Sequence, residues 1–204
     1  MRTGIISFEG GEGVGKTTQA ALLKEYLEKQ GSRVVSFREP GGSKLSENIR
    51  KLFLGYQMDA MTELMLLFAA RRENMKTLIE PAVKRGSVVI IDRFIDSTLV
   101  YQGIAGGLGT DSVRNLMEMT HTWLEPDLTF LLDINPEIAF IRFTPSDRLE
   151  MRGLKIQKII RQGFLDVCKE KRHHVIDADK SKEIIFEEIK KVTGDLIFET
   201  GDNS

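Results

Sequence analysis

The sequence lacks the features that mark secreted, membrane-spanning or highly charged proteins. Cys168 is its single cysteine, which excludes an internal disulfide and fits a reducing compartment. The 29 basic and 30 acidic residues leave a formal net charge of −1, so overall charge does not indicate a nucleic-acid or membrane surface. No stretch approaches the ~18 apolar residues of a membrane span, and the N-terminal apolar run is too short for a signal peptide. We therefore expect a cytoplasmic protein without nucleic-acid or membrane partners.

Length and composition predict one globular domain over residues 1–204. The chain is 41% hydrophobic and 29% charged, values that are ordinary for a protein with a full core. Its histidines lack the spacing of a metal site; they are His121, His173 and His174.

Short apolar runs alternate with longer helical patterns, which indicates βαβ units and an α/β fold. Five strands are predicted, at residues 4–8, 33–37, 87–91, 128–132 and 174–176. The third run is apolar without alternation, as expected for a central strand of a parallel sheet that is covered on both faces.

Helix signals support this organisation. Residues 17–30 have apolar positions at helical spacing, and Gly31 follows as a natural C-terminal stop. Asn135 precedes Pro136, an N-cap and a first-turn proline that open a helix through Arg142. Residues 61–84 are also helix-rich. We expect helices on both faces of the sheet.

A phosphate-binding motif follows the first predicted strand. Residues 10–17 read GGEGVGKT and match GxxxxGK[ST]. The loop amides and the helix N-terminus favour phosphate, Lys16 can reach the β- and γ-phosphates, and Thr17 can hold Mg²⁺. The predicted ATP-binding residues are Gly10, Gly11, Glu12, Gly13, Val14, Gly15, Lys16, Thr17 and Thr18. We therefore expect a P-loop NTPase fold, with three layers around a central five-stranded parallel sheet.

Asp92 is the predicted partner of this motif. It ends the apolar run at 87–91, and the carboxyl ends of strands in open α/β sheets face the ligand crevice. Thr17 and Asp92 are thus the predicted Mg²⁺ residues.

The fold alone does not decide the reaction, because P-loop proteins include kinases, GTPases, ATPases and motors. No NKxD motif is present, which weakens the GTPase interpretation. Kinases acting on other nucleoside monophosphates, deoxynucleosides or small hydroxylated metabolites stay open at this point. So does a nucleotide-binding switch or regulatory ATPase without a phosphoryl acceptor.

Four further segments narrow the choice. They are REPGGS at 38–43, LFAARR at 67–72, DRFIDSTLVYQG at 92–103 and PDLTFLLDINPE at 126–137. Together they resemble the thymidylate kinase family over nearly the whole chain. The resemblance implies transfer of the γ-phosphoryl group of ATP to dTMP, and a homodimer packed through helices.

The resemblance also implies roles in an acceptor site. Phe68 would stack on the thymine ring and Arg72 would bond the base carbonyl, although helical periodicity alone favours a core position for Phe68. Tyr101 and Gln102 would line the nucleoside pocket, and Glu39 would contact the sugar or the metal shell.

The phosphate of the acceptor needs its own ligands. Arg93 and Arg50 would hold it, with Ser97 as a further contact, since guanidinium groups bind phosphate oxygens bidentately. For Arg50 the alternative is a solvated helix residue.

A lid is expected at about residues 142–153. Its DRLE segment at 147–150 resembles a family signature, and Arg148 is the first choice for a catalytic lid arginine, ahead of Arg142 and Arg152. The alternative is an ordinary polar loop. Lys16, Arg93 and Arg148 are the predicted catalytic residues.

Two departures from the family pattern bear on these roles. Gly13 stands where some members carry an arginine, so the catalytic arginine would have to come from the lid. Val100 replaces a small alanine that would lie beside the acceptor pocket.

Overall fold

The fold is organised around one parallel β-sheet. The structure, a computed structural model, describes residues 3–142, 151 and 153–198. The strands are β1 (Ile5–Glu9), β2 (Val34–Arg38), β3 (Val88–Asp92), β4 (Leu128–Asp133) and β5 (His173–Asp177). They are ordered β2-β3-β1-β4-β5, with every neighbouring pair parallel. The prediction of a five-stranded parallel sheet is confirmed, with strand ends that differ by one residue or less.

Helices connect successive strands. Within the described residues they are α1 (Lys16–Lys29), α2 (Lys44–Gly55), α3 (Ala60–Asn74), α4 (Glu80–Lys84), α5 (Ile95–Thr98), α6 (Thr110–Met119), α7 (Pro136–Arg142), α8 (Leu154–Val167) and α9 (Lys182–Phe198). The predicted end signals are confirmed: Gly31 follows α1 with φ +85°, and Asn135 Oδ1 accepts from the Glu137 amide at 3.0 Å. None of the described helices combines the length and apolar character needed to cross a lipid bilayer.

Two π-helical turns were not predicted. Met75–Ile79 joins α3 to α4, and Leu99–Ile104 continues α5. In an all-helical sequence pattern nothing distinguishes a π turn from an α turn, because both keep the backbone in the same region and differ only in hydrogen-bond spacing.

The core has two halves, one on each face of the sheet. Alternate residues of β3 face opposite ways, so Val88 and Ile90 join one buried cluster while Val89 and Ile91 join the other. The first cluster includes apolar residues of α1, α7 and α9, and the second includes those of α3, α4 and α6. This three-layer packing explains why the β3 run shows no alternation.

A buried ion pair ties α5 to β5. The Arg172 guanidinium donates to both oxygens of Asp96 at 3.0 Å, and to Thr129 Oγ1 at 2.8 Å. Asp96 is fully buried, and the His173 ring contacts the same carboxylate at 3.3 Å. Burial alone would raise the pKa of Asp96, but His173 and Arg172 together hold that pKa below its ordinary value. The pair anchors the segment that follows β3.

We predict that Asp96→Asn lowers the free energy of unfolding by about 3 kcal/mol at pH 7, because the buried Arg172 guanidinium loses its buried counter-charge and keeps only the exposed Glu170 carboxylate, at 2.8 Å. The folded-state pKa of Asp96 is lowered, so the stabilisation is present above the unfolded pKa and is lost as pH falls through the folded one. Urea denaturation at pH 7 and near pH 3 measures both effects, because the gap between wild type and variant should narrow only below the unfolded pKa of about 3.9.

Asp166→Asn is the matched control for Asp96→Asn. Its ion pair with Lys169 is solvent-exposed at 3.3 Å, and such pairs contribute little to stability. Equal losses in the two variants would contradict the assigned role of the Asp96–Arg172 pair.

Candidate active site

The P-loop lies between β1 and α1. Gly10, at φ +134°, sits so close to β4 that an added Cβ would be 2.5 Å from the Leu132 carbonyl oxygen, so only glycine fits. Gly15 adopts the left-handed conformation at φ +97° and caps α1. The loop therefore delivers the N-terminus of a 14-residue helix to the carboxyl edge of the sheet, where its partial positive charge favours anions.

Lys16 is buried at the base of this loop, where its ammonium group donates to the Gly11 carbonyl. Burial and then the nearby charge of Arg93 lower the pKa of Lys16 to about 8, while Glu12 and Asp92 act in the opposite direction. The loop thus holds a cation whose charge an incoming anion would stabilise further.

Thr17 and Asp92 form the oxygen-rich corner of the site. Thr17 Oγ1 donates to Asp92 Oδ2 at 2.5 Å. Asp92 Oδ1 is fully buried and has no hydrogen-bond partner among the described residues. A hydroxyl beside a carboxylate with an unused oxygen is a donor set that suits a hard divalent cation.

The backbone conformation of Arg93 places its guanidinium group against the P-loop. Its φ of +68° is unusual for a residue other than glycine, and its amide donates to the Phe8 carbonyl at 2.9 Å. This conformation directs the guanidinium over β1, where it donates to Gly10 O at 2.9 Å and to Ser97 Oγ at 3.3 Å. It also forms a 2.8 Å ion pair with Glu12.

Glu12 links the P-loop to the π-helical turn after α5. Burial would raise the pKa of Glu12, but the charges of Arg93 and Lys16 lower it to about 2. The hydroxyl of Tyr101 donates to Glu12 at 2.8 Å, and the Arg93 guanidinium lies 5.1 Å from the centre of the Tyr101 ring. Burial raises the pKa of Tyr101, so its hydroxyl remains a donor.

Two cavities meet at Arg93. An open cleft of about 990 Å³ runs along the P-loop and is bounded on the far side by Arg38, Arg50 and Arg93. A second, more apolar cavity of about 370 Å³ lies behind it. Arg93, Glu12 and Glu39 line both. Arg50, predicted as a phosphate ligand, lines the cleft, and its guanidinium donates to the Pro40 carbonyl at 3.0 Å.

The structure places Phe68 and Arg72, the predicted base contacts, away from both cavities. Phe68 is buried in the core between α3 and the sheet, and Arg72 reaches the His121 carbonyl at the surface at 3.3 Å. The α3 residues that line the second cavity are Leu67 and Arg71. They are four positions apart, so they share one helix face, which is rotated by about 100° from the predicted one.

Arg71 is a site residue that sequence reasoning missed. Its guanidinium donates to Glu39 Oε2 at 2.7 Å and to Thr98 Oγ1 at 2.9 Å, and lies 4.9 Å from the centre of the Phe94 ring. The side chain is only 1% exposed. Glu39 thus binds Arg71 and Asn74 among the described residues, although a metal or sugar contact was expected.

Phe53 was also missed and lines both cavities. Its position in α2, 39 residues before the DRF segment that begins at Asp92, gives no motif that would identify it. The apolar spacing of α2 marks Phe53 only as a buried residue.

Ser97 and Gln102, both predicted, line the second cavity. Ser97 Oγ donates to Glu9, whose other oxygen accepts from the Phe94 amide at 2.8 Å. Burial and the neighbouring Asp96 raise the pKa of Glu9 to about 7. The end of β1 therefore fixes the start of α5.

Comparison with known proteins decides the family. The family model described as thymidylate kinase matches residues 8–189. The thymidylate kinase of Symbiobacterium thermophilum is 40% identical over 199 residues, covering 94% of this chain and 93% of that protein. The chain belongs to the thymidylate kinase family. The thymidylate kinase of Bacillus pumilus is 39% identical over 202 residues, covering 94% and 95%.

A solved structure supports the same assignment and confirms the predicted P-loop NTPase fold. The crystal structure of thymidylate kinase from Ehrlichia chaffeensis is 34% identical, with a TM-score of 0.76, and the match covers 95% of this chain and 99% of that one. Thymidylate kinases are phosphotransferases, so the chain is placed among enzymes that transfer phosphoryl groups.

The lid expected for this thymidylate kinase family member falls mostly outside the described residues. Arg148 and Arg152 lie among residues 143–150 and 152, which the structure does not describe. Arg142 is described, and it donates to the Ala178 carbonyl at 2.7 Å and to Asp179 at 2.6 Å in the loop after β5. The catalytic roles of the other two arginines remain predictions.

Val100, the departure from the family pattern, does not line either cavity. It is fully buried against α8, where a Cβ added to Gly163 would be 3.1 Å from Val100 Cγ1. Because Gly163 has no side chain, the larger side chain of Val100 fits against α8. Val100 therefore does not narrow either cavity.

We predict that Arg71→Met lowers the free energy of unfolding by about 3 kcal/mol, because it leaves the buried Glu39 carboxylate without its ion pair. Arg72→Met, at the next position, should cost less than about 1 kcal/mol, since it removes one surface hydrogen bond. Chemical denaturation of the two variants measures this difference. A larger loss of unfolding free energy for Arg72→Met than for Arg71→Met would contradict the assignment of Arg71 as the buried partner of Glu39.

Proposed function

We propose that this chain transfers the γ-phosphoryl group of ATP to the 5′-phosphate of dTMP, giving dTDP and ADP. The observation that supports it most is the position of Arg93, where the P-loop cleft meets the second cavity. A guanidinium at that junction can hold a phosphate whose nucleoside fills the apolar cavity, while the P-loop holds the donor. Family membership supports the same reaction, because the relatives are named thymidylate kinases.

The donor phosphates bind along the P-loop in this proposal. Lys16 exchanges the Gly11 carbonyl for phosphate oxygens, and the N-terminus of α1 adds further positive potential. Mg²⁺ would be held by Thr17 and Asp92, which fit it because Asp92 has a buried oxygen without a partner among the described residues. When bound, the ion neutralises part of the phosphate charge.

The acceptor phosphate binds between Arg93 and Arg50. Arg93 is already aimed into the cleft, and its present partner Glu12 carries the negative charge that the phosphate replaces. Arg50 lines the same cleft from α2. Two guanidinium groups converging from different elements position a phosphate as well as attract it.

The nucleoside of dTMP fills the second cavity. Its apolar walls include Phe53, Leu67 and Phe94, which suit a flat ring. Arg71 and Gln102 supply the polar groups that can bond the edge of the base. Phe68 and Arg72 are not among the residues that line this cavity.

Catalysis follows from positioning and charge. A phosphate acceptor is already largely ionised at neutral pH, so no general base is required. Lys16 and Arg93 stabilise the charge that spreads over the transferred group. Arg148 remains our predicted lid arginine; closure would exclude water, which otherwise competes with the acceptor.

The first test is coupled ADP release with ATP and Mg²⁺, in which dTMP is compared with dUMP, dCMP, dGMP, AMP, UMP and thymidine. We expect the highest kcat/KM with dTMP, and no turnover of thymidine because it lacks the phosphate that Arg93 binds. Turnover with a different acceptor, or ATP hydrolysis indifferent to all of them, would overturn the proposal.

Arg93→Ala extends this test to the mechanism. We expect kcat/KM for dTMP to fall at least 100-fold, which corresponds to about 2.7 kcal/mol of lost transition-state stabilisation. Arg33→Ala is the control, because Arg33 is exposed and precedes β2 at the opposite end of the sheet. A comparable loss in the control would mean that the assay reports stability and not phosphate binding.

We also propose that the chain forms a homodimer through α2 and α3, as the family resemblance implies. Large apolar side chains are exposed along α2, its C-terminal end and α3; they are Leu45, Leu52, Tyr56, Met61 and Met65. A patch of this kind is typical of an interface between subunits. The cytoplasmic location expected from the sequence stays a prediction.

Light scattering after size-exclusion chromatography tests the dimer. We expect a mass twice the 23.1 kDa of the chain, and a monomer for Leu52→Glu, since a charge would be buried at the interface. Ile184→Glu, at an equally exposed apolar position on α9, should remain dimeric. A monomeric wild type would exclude the proposed interface.

A further inference from the structure

Gln102 is fixed by a contact outside the cavity that it lines. It is 1% exposed and belongs to the π-helical turn Leu99–Ile104. Its amide nitrogen Nε2 donates to Glu63 Oε2 at 2.8 Å. Glu63 is itself 1% exposed and lies in the first turn of α3, where the helix dipole favours a negative charge.

The close approach of these two elements depends on Gly106. A Cβ added there would lie 2.7 Å from the Gln102 carbonyl oxygen and 2.8 Å from Ala60 Cβ. The absence of a side chain at 106 therefore lets the start of α3 reach the π-helical turn, which brings Glu63 within hydrogen-bond distance of Gln102.

The chemistry of the pair allows only one orientation of the amide. A carboxylate accepts hydrogen bonds and cannot donate, so it must face the NH₂ end of the glutamine side chain. The carbonyl Oε1 is then directed away from Glu63. No donor among the described residues is bonded to Oε1, and Gln102 lines the second cavity.

We propose that Glu63 is a positioning residue that sets base specificity, by making Gln102 present its carbonyl oxygen, and not its NH₂, to the base. This inference rests on the proposed function, which places a pyrimidine in that cavity. Thymine and uracil carry an N–H at ring position 3 that can donate to Oε1. Cytosine carries a bare nitrogen there, and its lone pair would be repelled.

The contribution of Glu63 is distinct from that of Gln102. An unconstrained glutamine could rotate its amide and donate NH₂ to cytosine, so it would bind both classes of pyrimidine. With the amide fixed, cytosine would place its N3 acceptor against the buried acceptor Oε1 of Gln102, and neither would have a donor. Sites that leave buried polar groups unpaired in this way discriminate strongly against the wrong base.

The test compares kcat/KM for dTMP, dUMP and dCMP in the wild type and in Glu63→Gln, with dCMP also titrated as an inhibitor so that its affinity is measured even without turnover. Glutamine at 63 can donate or accept, so the Gln102 amide is free to reverse. We expect the preference for dTMP over dCMP to fall at least about tenfold. The dTMP to dUMP ratio should not change, because both bases carry the N–H. Glu73→Gln, on the same helix, controls for the loss of charge.

The double variant Glu63→Gln with Gln102→Glu separates positioning from folding. It exchanges the two side chains, so the carboxylate at 102 accepts from the amide at 63 and still presents an acceptor to the base. We expect it to recover preference for dTMP over dCMP relative to Glu63→Gln.

Each outcome bears on a different claim. Equal losses for all three acceptors in Glu63→Gln, or an unchanged dTMP to dCMP ratio, would overturn the role of Glu63 while leaving the kinase activity of the wild type intact. A wild type that does not phosphorylate dTMP would instead refute the proposed function.

Discussion

Lys16 and Arg93 lie in the same site, and the rest of the site is arranged around this pair of cations. Burial, and then the charge of Arg93, lower the pKa of Lys16. Glu12 and Asp92 offset this lowering, because carboxylates stabilise neighbouring cations. Such a cluster favours polyanions, since a bound phosphate can satisfy both cations at once. The carboxyl edge of the sheet supplies Asp92 and Arg93 from consecutive positions, so the proposed metal and acceptor sites lie next to each other.

The π-helical turn after α5 connects this charged centre to the second cavity, the proposed base pocket. Tyr101 and Gln102 are neighbours in sequence, yet Tyr101 bonds Glu12 in the P-loop while Gln102 bonds Glu63 in α3. Both still line the same cavity. The wider turn presents adjacent side chains to one site, and π-helical turns occur often at functional sites. The second cavity is therefore connected to the P-loop on one side and to α3 on the other.

Local patterns could be predicted from the sequence, whereas contacts between distant segments could not. The P-loop and Asp92 are recognisable because residues at fixed spacing along a strand, turn and helix carry the chemistry. Helical periodicity favoured a core position for Phe68, which is where it lies, whereas its stacking role came only from the family resemblance. No local pattern indicated that Leu67 and Arg71 would line the second cavity. Pairs such as Asp96 with Arg172, 76 positions apart, depend on how the strands are ordered and leave no local signal.

The contacts that fix the Arg71 side chain within the protein affect which molecules could compete for this pocket. Glu39, Thr98 and the Phe94 ring hold the Arg71 guanidinium in position. Ordering a long side chain on binding costs roughly 0.5–1.5 kcal/mol. Because Arg71 is already ordered, the binding free energy of a ligand is not reduced by this cost. Preorganisation of this kind rewards rigid ligands whose acceptor atom already matches the guanidinium. It penalises flexible ones, which must lose their own freedom without any adjustment from the protein.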